Sequence, residues 1–149
     1  MNAKRWADAK RHSAIPDETM PKKHVNPASL FPSVEHGFSQ VVIASGAKTV
    51  FISGQTAWDA NKRIVGRNCG EQARQALQNV KTAVEAAGGT LSDIVTLRIY
   101  VVHIAENVEA VGSALRDVFD KSADQHVDGV SSLAVPEFLI EVEATAVLE

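Results

Sequence analysis

The chain has 149 residues, 45% hydrophobic and 22% charged, with a net charge of −3, which suits one globular domain with a real core. No run approaches the roughly 18 apolar residues that a membrane helix needs, and the acidic balance argues against nucleic acid as a partner. A single cysteine, Cys69, precludes an internal disulfide and fits a reducing, cytoplasmic setting.

Charge is uneven along the chain. Residues 1–23 hold Lys4, Arg5, Lys10, Arg11, Lys22 and Lys23 against Asp8, Asp17 and Glu18, a net of +3, so residues 24–149 carry −6. This first segment lacks the apolar stretch of a secretory signal, and its acidic residues oppose a transit peptide. It reads as a mobile N-terminal extension ahead of one domain spanning 24–149. Met20 stands just before the ordered pattern and is a candidate native start. Residues 24–37 include Pro27 and Pro32 and read as an irregular lead-in. Gln40 to Ala44 is a short apolar strand, Gly46-Ala47-Lys48 a turn, and Thr49 to Ser53 a second strand closing at Gly54. Together they predict a hairpin. A polar loop follows from Trp58 to Gly66, with room for a short strand at Arg63 to Val65.

The next segment is helical. Ala73, Ala76, Leu77, Val80, Ala83, Val84 and Ala87 recur at spacings of three and four, and Gly88-Gly89 supplies the C-terminal cap. Cys69 falls near this helix start, as a small structural residue rather than a catalytic thiol. A strand from Ile94 to Val102 alternates Val95, Leu97, Ile99 and Val101 with Thr96, Arg98, Tyr100 and Val102. A second helix runs from about Asn107 to Phe119, with Val108, Val111, Leu115 and Val118 inward. Asp120 to Gln125 reads as a loop.

Val127 to Leu148 reads as two strands around a break at Pro136-Glu137. Alternation puts Phe138, Ile140, Val142, Ala144 and Ala146 on a wholly apolar face, and Leu139, Glu141, Glu143, Thr145 and Val147 on the other. The second face mixes carboxylates with aliphatic groups. The order β-β-(β)-α-β-α-β-β predicts an α+β fold in which two helices cover one face of a mixed sheet. The opposite face, with Leu139 and Val147, is then expected to be covered by another copy of the chain.

Four pieces in order carry a family resemblance. His36-Gly37-Phe38-Ser39-Gln40 resembles a Gly-Pro-Tyr-Ser-Gln opening, and Phe51-Ile52-Ser53-Gly54-Gln55 a Phe-Val-Ser-Gly-Gln strand end. Gln72 to Gly88 is similar to a Gln-Thr-Arg-Gln-Ala-Leu-Glu-Asn-Leu helix, and Ile140-Glu141-Val142-Glu143-Ala144 to an Ile-Glu-Ile-Glu-Ala strand. These are the motifs of the YjgF/RidA (Rid, endoribonuclease L-PSP-like) superfamily, and the resemblance runs from about His24 to Leu148. It implies a chorismate-mutase-like fold, a homotrimer with a barrel of sheets, and small-molecule clefts between subunits. It also implies hydrolysis of imines or enamines without metal or organic cofactor.

Carried over by position, Glu141 matches the glutamate that places water, and Ser53 with Gly54 the group beside the substrate. Glu141 is either that general base or a polar barrel residue bonding its neighbours. Ser53 is either a ligand contact or a strand-end hydrogen-bonding residue. Two departures matter. The family's carboxylate-binding arginine falls on Gln125 or, without a gap, on His126, just before Val127. Its tyrosine falls on Phe38. A bidentate grip on a carboxylate is lost, which marks a subgroup lacking that arginine. Arg98 is weighed as a grip from outside the motif, against the reading of an exposed strand arginine. The resulting expectation is a deaminase-type hydrolase of a small C–N compound. The alternatives are a non-catalytic ligand-binding or regulatory trimer and, last, a ribonuclease.

Overall fold

Asn68 opens the first helix because its side chain can do what the first turn lacks. Its Oδ1 accepts from the Glu71 backbone N–H at 3.0 Å, satisfying one of the orphan donors of a helix start. The computed structural model describes residues 22–29, 34, 41–119 and 123–149. Helix α1 spans Cys69–Ala86 and buries Ala73, Ala76, Leu77, Val80 and Val84 along one stripe. It ends where Gly88 takes φ +89 and the Gly89 N–H donates to Val84 O at 2.9 Å. A Cβ on Gly89 would lie 2.5 Å from Leu148 Cδ2, so a side chain there would displace Leu148.

Among the described residues six strands accompany it: β1 Lys22–Val25, β2 Val41–Ala44, β3 Lys48–Gln55, β4 Ile94–Val102, β5 Asp124–Val130 and β6 Ile140–Leu148. The main sheet has the order β3-β6-β4-β5. Strands β3 and β4 each run antiparallel to β6, while β4 and β5 run parallel. Helix α2, Ile104–Val118, makes the crossover between the parallel pair. Both helices lie on one face and meet through an Arg74–Asp117 ion pair at 3.0 Å. The core fills the space between: Leu77, Val80, Ile94, Leu97, Ile99, Ile140 and Val142 are each at most 1% exposed. The predicted apolar face of the last strand is this core face, with Phe138, Ile140, Val142, Ala144 and Ala146 all buried.

Several elements differ from the sequence reading. Strand β2 does not form a hairpin with β3. It pairs with β1 in a separate two-stranded sheet, while β3 pairs with β6. The short Gly46-containing turn therefore carries the chain between sheets. His24 and Val25, read as irregular lead-in, belong to β1, which begins at Lys22. Lys22 Nζ donates to Ile94 O at 2.8 Å and ties this small sheet to the start of β4. Arg63 to Val65 holds only an isolated bridge between Trp58 and Ile64. Helix α2 starts at Ile104, and Val108 lies 48% exposed, its place on the inner stripe taken by Ala114 with Val111 and Leu115. Asp124 and Gln125 are strand, not loop, because parallel pairing with Thr96 and Leu97 extends β5 in the N-terminal direction. A register shift between Ile94 and Thr96 makes Ile94 the buried residue there and leaves Val95 half-buried.

Candidate functional site on the open sheet face

The strand register decides which side chains meet on the face the helices leave uncovered. Cross-strand partners in a sheet point the same way. One row carries Phe51, Thr145, Thr96 and Asp124, and the next brings Glu143, Arg98 and His126 together; Glu141, Tyr100 and Asp128 form a third. The face is therefore mixed rather than apolar. Leu139, expected here, packs instead against the core. The apolar members of the face are Phe51, 80% exposed, Val147 opposite Thr49, and Val130 opposite Val102.

Strand β3 breaks its register within this face. Ile52 pairs with Ala144 and Gln55 with Val142, so Ser53 and Gly54 together stand opposite Glu143. That is a β-bulge, a device that re-aims side chains beside functional sites. Its consequence is visible at Gly54, where a Cβ would lie 2.7 Å from Glu141 Cδ and would strike the carboxylate. Glycine lets the Glu141 carboxylate lie against the β3 backbone, with the exposed Ser53 beside it. Glu141 is half-buried. Three sequence-predicted residues, Glu141, Ser53 and Gly54, are thus brought together.

The others divide by face. His126 pairs with Arg98 and lies on the open face, where its Nε2 is 3.1 Å from Asp128 Oδ2. Gln125 pairs with Leu97 and Val127 with Ile99, on the helix-covered side, and Val127 packs against the core. The ungapped register, His126, is therefore the position that shares a face with Glu141. Phe38 lies outside the described residues.

Sequence reasoning missed the most connected group on the face. The Tyr100 hydroxyl donates to Glu143 Oε2 at 3.0 Å. This bond, with burial and the charge of Glu143, holds the Tyr100 hydroxyl above its usual pKa, while Arg98 acts in the opposite sense. A groove of about 270 Å³ opens beside this group, lined by Ser53, Phe51, Thr96, Arg98, Glu143 and Thr145 among others. The signal for it was the pairing of a polar alternate set on β4 with another on β6, which only the register resolves.

Two further residues have structural work. Cys69 is buried at the α1 start, its Sγ 3.9 Å from Leu139 O, and burial pushes its thiol up to about 11. A thiol so held is not the thiolate that nucleophilic catalysis needs. Gln72, 3% exposed, accepts from the Leu139 N–H at 2.9 Å and donates to Glu137 O at 3.0 Å, clamping the segment that enters β6. Among the described residues no group of at least three His, Cys, Asp or Glu side chains is placed to hold a metal, and no helix is long and apolar enough to cross a membrane.

Comparison with known proteins agrees with this architecture. The Endoribonuclease L-PSP family profile matches residues 29–148. A protein of the conserved Rid family from Yersinia pestis, itself of unknown function, is 40% identical with a TM-score of 0.82, over 87% of this chain and 100% of that one. A RutC family protein of Pyrococcus horikoshii is 30% identical over 113 residues, 75% of this chain and 87% of the relative. The 2-iminobutanoate/2-iminopropanoate deaminase of Dermatophagoides farinae is 27% identical over 133 residues, 87% of this chain and all of the relative. The two helices on a mixed sheet, the ordered motifs and the profile over most of the chain place this protein in the Endoribonuclease L-PSP, or YjgF/RidA, family.

Proposed function

We propose that the protein takes a small molecule on the open sheet face, in a cleft completed by neighbouring copies in a homotrimer, and hydrolyses an imine, enamine or related C–N bond there. The observation that carries this reading is the Glu141 carboxylate lying against Gly54 at the β3 bulge, with Ser53 alongside. A half-buried carboxylate at such a point can hold a water and take its proton as the water oxygen attacks the C=N carbon. The nitrogen then leaves as ammonia after protonation. In this reading the Ser53 hydroxyl bonds the substrate or the water. The deaminase relative from Dermatophagoides farinae supports the reaction class.

One observation favours a second reading, a ligand-binding trimer without turnover. The position facing the cleft from β5 is His126, engaged with Asp128, so no bidentate cation stands there. Ribonuclease activity ranks last, because Glu141, Glu143, Asp124 and Asp128 on the same face repel phosphates.

An amino-acid oxidase can generate 2-imino acids while semicarbazide traps them. Suppression of trapping by the wild type, and loss of that suppression in Glu141→Ala, is the expected result. No suppression across several amino acids removes the hydrolase reading and leaves the binding one.

A further inference from the structure

The groove beside Tyr100 holds an arrangement that Glu141 chemistry does not use. Arg98 and Glu143 are direct cross-strand partners, yet among the described residues Arg98 forms no ion pair with a carboxylate. The Tyr100 hydroxyl intervenes instead, donating to Glu143 at 3.0 Å. Directly opposed charges in a sheet ordinarily gain by pairing. Arg98 also bonds the Tyr100 hydroxyl, so Tyr100 bridges the two charges, and both line an open space of about 270 Å³. That space is close to the lower end of small-ligand sites, which run from about 300 to 1,000 Å³, so its occupant is small.

The lining sets the occupant's chemistry. Arg98 supplies donors in a planar fork suited to a carboxylate, and Glu143 supplies acceptors suited to a protonated nitrogen. Ser53, Thr96 and Thr145 add hydroxyls, and Phe51 adds an exposed ring for an apolar tail. The wider face carries Glu141, Asp124 and Asp128 as well. A plain anion is therefore repelled, and a plain cation meets Arg98. A molecule with both charges close together meets neither penalty.

We infer that the groove between β3, β6 and β4 binds a small zwitterion with an apolar side group, its carboxylate on Arg98 and its cationic nitrogen on Glu143. The specificity-determining cation thus comes from β4, a different strand from the one that carries His126. This rests on the proposed reading only in treating the open face as a small-molecule site, and it names the class of molecule.

Calorimetric titration of the full-length protein tests it with a matched series: L-phenylalanine, phenethylamine, 3-phenylpropanoate and L-alanine. L-Phenylalanine should bind at least tenfold more tightly than phenethylamine or 3-phenylpropanoate, which each lack one charge. L-Alanine should bind more weakly for want of contact with Phe51. Arg98→Gln and Glu143→Gln, both on the exposed side of the sheet, should each weaken L-phenylalanine at least tenfold. Arg98→Gln should also erase the preference over phenethylamine. Equal binding of the three phenyl compounds, no binding of L-phenylalanine, or an unaltered affinity in Arg98→Gln overturns the inference. The imine-trapping assay reports separately on Glu141. Zwitterion binding without turnover removes hydrolysis alone, and turnover without the charge preference removes this inference alone.

Discussion

Gln72 is the buried polar side chain on which the entry to β6 depends. Among the described residues it is the single buried polar or charged one, at 3% exposure. Its amide reads two backbone groups of one segment, accepting from the Leu139 N–H at 2.9 Å and donating to Glu137 O at 3.0 Å. Leu139 O in turn accepts from the Val102 N–H at 3.0 Å. The segment is therefore fixed to α1 on one side and to β4 on the other, two residues before Glu141. Gln72→Leu keeps the bulk and removes both bonds. A buried group left without a partner costs about 1–3 kcal/mol. Leu139 is half-buried and Glu137 exposed, so water replaces the bond to Glu137 O more readily, and the Leu139 N–H carries the larger share. The total is about 2–4 kcal/mol. For a chain of this size each kcal/mol moves Tm by about 2–4 °C, so the variant should melt roughly 5–15 °C lower.

Urea unfolding at fixed protein concentration measures this directly, since assembly makes stability concentration-dependent. Gln72→Glu adds a sign to the test. A carboxylate there can still accept from Leu139 but cannot donate to Glu137 O, and desolvation raises its folded pKa. A group with a raised folded pKa stabilises below its unfolded value, about 4.3 for Glu, and that contribution is lost as pH rises through the folded value. The deficit of Gln72→Glu relative to wild type should therefore widen from acid to neutral pH. A Gln72→Leu deficit under about 0.5 kcal/mol, the range of ordinary surface substitutions, would refute the clamp.

Other outcomes follow from the open face. Gly54→Ala should displace the Glu141 carboxylate with little loss of stability, because the added methyl meets only that flexible side chain; an unshifted Glu141 side-chain resonance would contradict the close approach. Tyr100 is the chain's sole tyrosine, so ultraviolet titration of tyrosinate reads it without overlap. It should ionise above the ordinary pH 10 midpoint. Its stabilising contribution is complete below pH 10 and declines as pH rises through the folded midpoint, and Glu143→Gln should bring that midpoint down. Lys22→Met should loosen β1 and β2 from the main sheet, seen as faster amide exchange at Val42 and Ala44 with β6 unaltered.

The fold was legible wherever period and burial agree. The α1 stripe and the apolar alternate set of β6 are each set by one neighbouring layer, so spacing alone identifies them. Pairing partners are another matter. The Val41–Ala44 and Lys48–Gln55 segments lie close in sequence with a glycine between them, which is a sound hairpin signal. The longer Lys48–Gln55 strand instead finds a partner in β6, a pairing that aligns Ile52 with Ala144 over the core. Nonlocal burial outweighs the local turn, and no local window contains that information. The same holds for Asp124 and Gln125, polar residues drawn into β5 by the backbone of β4.

The site shows the same division at finer scale. Glu141 and Ser53 were singled out by their match to family motifs, and alternation along the last strand put Glu141 on the face opposite the core. Whether Gln125 or His126 meets them turns on a one-residue register choice, and a single slip exchanges faces. Parallel pairing of Arg98 with His126 puts His126 on the face of Glu141, while Val127 packs against the core. Arg98 was the harder residue to value. An isolated arginine on an exposed strand is ordinary, and its distance in sequence from Glu143 hides that the two face one another. Only the β4–β6 register puts a cation and a carboxylate around one groove, with the Tyr100 hydroxyl bonded to that carboxylate. On this face β5 carries His126 and β4 carries Arg98. A face rich in carboxylates can still admit an anionic group where one fixed cation stands beside a carboxylate that accepts the opposite charge of the same molecule.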